Sequence, residues 1–204
     1  MAAAKKSTHI EIEPTQRNEL ALLLQNELNK DKKAGKSSFF LDEEDNPTNV
    51  TEWLSTGSTL LDLAISNRAD GGLPVSRIVE FSGLEGTGKS LICAQMIAET
   101  QRRGGQSVYF DSEYSVDKNF WKALGVDIKN VNYNPFNTLE DLFTKLEQCI
   151  GAYRKAEKNA LLTIFVDSIA QSSVEKEMES EHGVDGYNTG KSIIISKAMR
   201  KITG

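Results

Sequence analysis

The first regular hydrophobic pattern in the chain has the spacing of a helix. Within residues 15–30, four leucines recur on one helix face, at Leu20, Leu23, Leu24 and Leu28, which predicts an amphipathic helix. Residues 31–50 are polar and without periodicity, so we expect a linker between this helix and the rest of the chain. The leucine face has two open explanations: it packs on the chain's own core, or it docks on a neighbouring subunit.

From residue 51 onward, short apolar runs alternate with helical patterns. A turn and a short helix are expected in 55–65, and a turn at 71–74. Runs typical of strands lie at 77–82, 107–111, 131–133 and 161–167. Helical patterns follow these runs at 89–103, 117–125, 138–157 and towards the end of the chain. Because residues 161–167 are nearly all apolar, we expect them to form a central strand buried on both faces.

This alternation predicts an α/β fold, with right-handed crossovers and helices on both faces of a parallel sheet. Residues 1–50 are expected to form an N-terminal helix and linker, and residues 51–204 the core. Four strands are few for such a sheet. We therefore expect that the C-terminal part of the core is missing and that further strands follow Gly204.

The composition and charge of the chain limit the class of protein and the partners that we expect. The 204 residues are 39% hydrophobic and 26% charged, which is ordinary for a soluble globular protein, and the net charge of −5 means that nucleic-acid binding would need a local basic surface. No secretory signal or membrane span is recognisable, so we expect a cytoplasmic protein with no membrane partner. Cys93 and Cys149 are expected to be buried thiols in a reducing compartment.

Residues 83–90, GLEGTGKS, match the phosphate-binding pattern GxxxxGK[ST]. Glycines allow the backbone N–H groups to curl around phosphates, and the following helix directs its N-terminal dipole at them. Lys89 is expected to place its ammonium on the β- and γ-phosphates of ATP, and Ser90 its hydroxyl on Mg²⁺. The alternative is a glycine-rich turn with an exposed lysine. The predicted cofactor-binding residues of the loop are Gly83, Leu84, Glu85, Gly86, Thr87, Gly88, Lys89 and Ser90.

Two acidic residues follow predicted strands. Asp167 ends the run 161–167 and is expected to hold Mg²⁺ directly or through water; the alternative is an aspartate that begins a turn. Glu113 comes just past the strand 107–111. Ligands of open parallel sheets bind at the carboxyl ends of the strands, so Glu113 is favoured over nearby Asp111 as the general base for hydrolysis.

The order of several segments resembles the RecA/UvsX family of bacterial and phage homologous recombinases. The resemblance covers about residues 51–204 and rests on STGS, the phosphate loop, DSEYSVD, LGVD and AMRK, in that order. It implies a RecA-like P-loop ATPase core that binds ATP between subunits of a helical filament on single-stranded DNA. It also implies catalytic roles for Glu113 and Lys89, a metal-holding Asp167, and adenine contacts from Asp117 and Phe120, although core packing is an alternative for Phe120. The N-terminal helix would be the polymerisation element.

The expected DNA contacts depart from the family pattern. The first DNA-binding loop of the family would fall on residues 172–190, which are acidic here, and one expected arginine position holds Ile193. Basic residues follow the acidic stretch and are the predicted DNA contacts, with a solvated helix face as the alternative: Lys191, Lys197, Arg200 and Lys201.

The sequence leaves three functions to compare. The first is a DNA-dependent ATPase that pairs single-stranded DNA with homologous duplex DNA and exchanges strands. The second is a RecA-like ATPase with another output, such as a ring helicase or a regulatory ATPase. The third is a non-catalytic recombinase paralogue, against which the presence of Lys89, Glu113 and Asp167 argues.

Overall fold

The computed structural model of the protein describes residues 17–30, 35–156, 160–169, 172–174 and 187–203. The chain divides into two compact units, Met1–Val50 and Thr51–Gly204. Among the described helices, none combines the length and the apolar character that a membrane span requires.

The N-terminal unit contains the predicted amphipathic helix, α1 (Glu19–Leu28). The side chain of Asn18 caps it by accepting a hydrogen bond from the backbone N–H of Leu20 at 2.8 Å. The helix buries none of its residues, and Leu23 and Leu28 are 65% and 64% exposed. The leucine face of α1 is therefore exposed in the structure, and both explanations of it stay predictions.

Residues 35–50 form turns, with neither helix nor strand, as the sequence predicts. They are nevertheless tied to α1 by side-chain hydrogen bonds. Asn29 Oδ1 accepts the backbone N–H groups of Ser37 and Ser38, both at 2.9 Å, and Gln25 donates to the Glu43 carboxylate at 3.1 Å. This polar segment thus folds back on the helix instead of simply leading away from it.

The second unit begins with a small antiparallel pair, β1 (Trp53–Leu54) and β2 (Leu73–Pro74). The prediction of a turn at 71–74 is therefore wrong for its last two residues, because the partner strand lies about 20 residues earlier and leaves no local signal. Gly72 makes the close approach possible, with a φ of +123°. A Cβ there would lie 2.1 Å from the Leu54 carbonyl oxygen.

Between these strands, α2 (Thr59–Ser66) follows the STGS turn as predicted. A buried carboxylate, Asp62, holds the turn in place. It accepts hydrogen bonds from the hydroxyl of Ser55 at 2.5 Å, and from the backbone N–H and hydroxyl of Thr56 at 2.8 and 2.7 Å. One buried side chain thus satisfies three donors of the turn, which stabilises it.

The main sheet has three parallel strands in the order β4–β3–β5, which confirms the predicted α/β fold. Its register places Asp111 opposite Asp167, so these two strands end level with each other. A 3₁₀ turn, Ile128–Asn130, precedes β4. The remaining elements, in chain order, are α3 (Lys89–Arg102), β3 (Gln106–Asp111), α4 (Lys118–Ala123), β4 (Val131–Pro135), α5 (Leu139–Lys155), β5 (Leu162–Asp167) and α6 (Tyr187–Thr203).

Alternate residues of β3 face two different hydrophobic clusters, one on each side of the sheet. Tyr109 packs with residues of α3 and α4, whereas Val108 and Phe110 pack with α5 and α6. Leu139 and Leu142 of α5 are completely buried. Truncating such a leucine typically costs about 2–5 kcal/mol, so this face contributes much of the stability of the sheet.

Two strand predictions are wrong. Residues 77–82 form no strand, and Ile78 and Val79 are 59% and 41% exposed. The run 161–167 does form a strand, but β5 lies at the edge of the described sheet, and β3 occupies the centre. In both cases an apolar run indicates a tendency to be buried, whereas a strand and its position depend on partners that are distant in sequence.

Candidate functional site

The phosphate loop, residues 83–90, links the irregular segment 77–82 to α3. Gly86 and Gly88 have φ values of +74° and +93°, a region that favours glycine. A Cβ built on Gly86 would meet nothing within 4 Å, so it is the backbone conformation, and not crowding, that requires glycine there. The loop therefore has the backbone turn that the sequence predicts, although the strand expected before it is absent.

Gly88 is the N-cap of α3, and no side chain caps this helix. The first N–H groups of α3 thus remain available to an anion at the loop. The Lys89 ammonium lies over the loop and donates to the carbonyl oxygens of Gly83 and Leu84 at 3.0 and 2.9 Å. Thr87 donates its hydroxyl to the Leu84 carbonyl at 2.8 Å, which closes the turn.

The loop meets the end of β5 through one short hydrogen bond. Ser90, in the first turn of α3, donates its hydroxyl to Asp167 Oδ2 at 2.6 Å. Tyr109 of β3 donates its hydroxyl to the same oxygen at 2.8 Å. Two residues that the sequence places 77 positions apart, and predicts to share a metal, are thus in direct contact.

The two acidic residues after β3 have different surroundings. Asp111 is completely buried, and its carboxylate accepts the backbone N–H groups of Glu113, Tyr114 and Ser115 at 2.8, 3.0 and 3.1 Å. The hydroxyl of Tyr133 also donates to Asp111, at 3.0 Å. Burial, reinforced by this hydrogen bond, raises the pKa of Tyr133 to about 12. Asp111 therefore shapes the turn that carries Glu113.

Glu113 itself is exposed, and it lies just beyond the carboxyl end of β3, where β5 also ends. Its Oε1 lies 3.5 Å from the hydroxyl of Ser168, the residue that follows Asp167. Ser112 and Ser168 join the two strand ends, because the Ser168 N–H donates to the Ser112 hydroxyl at 3.0 Å. Glu113 and Asp167 thus both lie at the carboxyl end of the parallel sheet.

Asp117 and Phe120 lie at the start of α4. Asp117 is the N-cap, and its Oδ1 accepts the backbone N–H groups of Asn119 and Phe120 at 2.8 and 3.1 Å. Phe120 is 47% exposed, whereas its neighbour Trp121 is 6% exposed and meets Tyr109 edge-on. Core packing therefore describes Trp121 and not Phe120, whose ring remains available at the surface.

The basic residues proposed for DNA lie on α6. Ile194, Ile195 and Ile202 pack against the hydrophobic cluster beneath the helix, and Ala198 is buried there. Lys197 and Arg200 are exposed, and Lys191 is half-buried. Lys201 forms an ion pair with Glu147 of α5. Residues 175–186, which contain most of the acidic stretch, lie outside the described residues.

Sequence reasoning missed two residues of this site. Tyr109 and Tyr133 donate their hydroxyls to Asp167 and Asp111, the carboxylates that end the two neighbouring strands. For Tyr109 the available signal is a tyrosine within an apolar strand, two positions before a strand-end aspartate, as in VYFD, whereas Tyr133 lies in the polar strand VNYNP, which carries no such signal. A buried tyrosine normally finds a partner for its hydroxyl, and the nearest polar groups are those at the strand ends.

Comparisons with known proteins give two findings. The family model of the RecA N-terminal domain matches residues 22–204. Protein RecA of Clostridium novyi (strain NT) is 37% identical over 174 residues, which cover 85% of this chain and 47% of that protein. The chain therefore spans about half the length of this curated relative.

Proposed function

Because the chain belongs to the RecA N-terminal domain family, we propose that it is an ATP-dependent DNA recombinase. In this proposal it forms helical filaments on single-stranded DNA, and promotes pairing and strand exchange with homologous duplex DNA. The observation that carries the nucleotide part is the 2.6 Å contact between Ser90 and Asp167, which joins the phosphate loop to a strand-end carboxylate. The DNA part rests on the family alone.

Residues 83–90 would hold the phosphates of ATP. The left-handed glycines Gly86 and Gly88 keep Cβ atoms off the loop, and the uncapped start of α3 supplies N–H donors. Lys89 now donates to two loop carbonyls, and would transfer these hydrogen bonds to phosphate oxygens, which are stronger acceptors.

The donor set at Ser90 and Asp167 fits Mg²⁺. A hydroxyl and a carboxylate are both hard oxygen donors, and Mg²⁺ usually takes only one or two protein ligands beside water and phosphate oxygens. When bound there, Mg²⁺ would neutralise charge on the β- and γ-phosphates. The Ser90 hydroxyl would then turn its lone pair to the metal, and the Asp167 carboxylate would hold the metal or one of its waters.

Glu113 would orient the attacking water and accept its proton at a carboxylate oxygen. Its exposure at the end of β3, beside Ser168 and Asp167, supports this role. Asp111 is a poor candidate because three backbone N–H groups and a phenol already occupy its oxygens.

Asp117 and Phe120 would contact the adenine. The half-exposed ring of Phe120 offers a face for stacking, a contact that contributes about 1–3 kcal/mol for bases on aromatic side chains. Asp117 already caps α4 through one oxygen, Oδ1, and would use its other oxygen.

Self-association and DNA binding would use two further surfaces. The exposed leucines of α1 would dock on a neighbouring subunit, since burying them there removes apolar area from water. On α6, Lys191, Lys197 and Arg200 would contact DNA phosphates. Lys201 would have to leave Glu147 to do the same.

The test is ATP hydrolysis with and without single-stranded DNA, combined with electron microscopy of the products. We expect hydrolysis that DNA stimulates, filaments on the DNA, and loss of turnover in Lys89→Ala and Glu113→Gln but not in Lys122→Ala, an exposed lysine on α4. Rings without DNA stimulation would favour a helicase-like or regulatory ATPase. If Lys89→Ala changed no activity, the non-catalytic alternative would replace the proposal.

A further inference from the structure

The phenol of Tyr109 contacts the candidate metal site, but the proposed function gives it no role. Tyr109 is 1% exposed, and its hydroxyl donates to Asp167 Oδ2 at 2.8 Å. Ser90 donates to that same oxygen at 2.6 Å. One oxygen of the Asp167 carboxylate therefore receives two hydroxyl donors, one from the sheet and one from α3.

The two donors differ in how firmly they are held. The ring of Tyr109 meets Trp121 edge-on, with 4.9 Å between ring centroids. It also lies 6.5 Å from the stacked ring of Tyr133 and 6.4 Å from that of Phe165. A buried aromatic ring with three aromatic neighbours keeps one rotamer, so the position of its hydroxyl is fixed by the core. Ser90, in contrast, is exposed and is the last residue of the phosphate loop.

Losing the Tyr109 bond would be costly because the hydroxyl would remain buried without a partner. The Asp167 carboxylate is therefore held to the sheet even when Ser90 releases it. The proposed function requires Ser90 to release Asp167, because in that proposal Ser90 is a ligand of the metal. A carboxylate fixed by a second donor loses less freedom on binding a cation than one that can rotate.

We propose that Tyr109 is the positioning residue of the candidate metal site: its hydroxyl holds the Asp167 carboxylate in place when Ser90 turns to Mg²⁺. This inference rests on the proposed function of Ser90 and Asp167. It assigns Tyr109 no contact with nucleotide or metal, and it predicts an effect on metal dependence instead of on nucleotide recognition.

The test is Tyr109→Phe, which keeps the ring and removes only the hydroxyl. ATP binding by the full chain is measured by calorimetry over a range of Mg²⁺ concentrations and in EDTA. We expect the Mg²⁺ concentration that gives half of the increase in ATP affinity to rise roughly tenfold, as when other outer-shell partners of metal ligands are mutated. The ATP affinity in EDTA should not change. The matched control is Tyr153→Phe, which removes a hydroxyl that donates to the Ala160 carbonyl, and it should follow the wild type.

A Mg²⁺ midpoint of Tyr109→Phe within about twofold of both wild type and Tyr153→Phe would overturn the inference, since outer-shell effects are larger than that. Failure of the proposed function looks different: the wild type itself would then show no Mg²⁺ dependence, and Ser90→Ala would change nothing.

A second measurement keeps the hydroxyl and so does not depend on the folding of the phenylalanine variant. 3-Fluorotyrosine placed at position 109 should change its ¹⁹F chemical shift on addition of Mg²⁺ and ATP. The Asp167 oxygen that accepts its hydroxyl would then no longer accept the Ser90 hydroxyl as well. ATP in EDTA should leave the resonance in place. An unchanged resonance under both conditions contradicts the inference.

Discussion

Asp111→Asn tests whether a buried carboxylate builds the turn that carries Glu113. Asp111 is completely buried, and each of its oxygens accepts two hydrogen bonds. Asparagine keeps the shape, but its NH₂ group replaces one acceptor with a donor. Two of the four bonds are then lost, and the other two are no longer charge-assisted.

The magnitude follows from these four bonds. Charge-assisted hydrogen bonds contribute about 1.5–3 kcal/mol each and neutral ones about 0.5–1.5 kcal/mol. Rotation of the Tyr133 hydroxyl and removal of a buried charge offset part of the loss. We therefore expect a net loss of about 2–4 kcal/mol in the free energy of unfolding. Turnover of ATP should also fall, because Asp111 accepts the backbone N–H of Glu113 and so positions the proposed general base.

The assay is urea unfolding followed by circular dichroism, with linear extrapolation to water. Asp127→Asn is the matched control, since Asp127 also accepts a backbone N–H two residues ahead, from Lys129 at 3.0 Å, but at an exposed position. It should lose less than about 1 kcal/mol. Asp111 does not build the turn if Asp111→Asn is as stable as Asp127→Asn and turns over ATP at the wild-type rate.

Three further predictions concern the backbone, the base contact and the thiol of Cys93, which is half-buried, as is Cys149, instead of buried as the sequence predicts. Gly72→Ala should lower stability by roughly 2–4 kcal/mol in thermal unfolding, because its Cβ would collide with the Leu54 carbonyl at a φ of +123°; an unchanged melting temperature would contradict this. Phe120→Ala should weaken ATP binding by about 1–3 kcal/mol in calorimetry with little change in stability; equal affinity would exclude the stacking role. Burial raises the pKa of Cys93 from 9.0 to about 12. Its contribution to stability is thus complete below about pH 9 and is lost as the pH rises towards 12, and mass spectrometry should find Cys93 alkylated more slowly than Cys149 at about pH 8.

The sequence predicted best those features that depend on neighbours within a few residues. Helices α3 and α5 appear where their periodicity indicates, and the side chain of Thr138 caps α5 by accepting the Asp141 N–H. The phosphate loop likewise needs only glycines at fixed spacing and a following helix. The contact of Ser90 with Asp167 agrees with the expectation that ligand-binding residues gather at the carboxyl ends of parallel strands.

Features that depend on distant partners could not be read from the sequence. The run 77–82 is apolar enough for a strand but has no ladder partner among the described residues. The place of β5 at the edge, and the pairing of β1 with β2, follow from strand order and close backbone approach. The role of Asp111 in the turn, and the contact of Tyr109 with Asp167, each depend on how buried polar groups find partners after the sheet has formed.

A crystal structure with Mg²⁺ and a non-hydrolysable ATP analogue would show whether residues 83–90, Ser90 and Asp167 form the nucleotide and metal site. We expect phosphate oxygens along residues 83–90, and a metal about 2.0–2.1 Å from the Ser90 hydroxyl oxygen, beside the Asp167 carboxylate. A nucleotide bound away from the loop, or a metal that leaves the hydrogen bond between Ser90 and Asp167 intact, would contradict it.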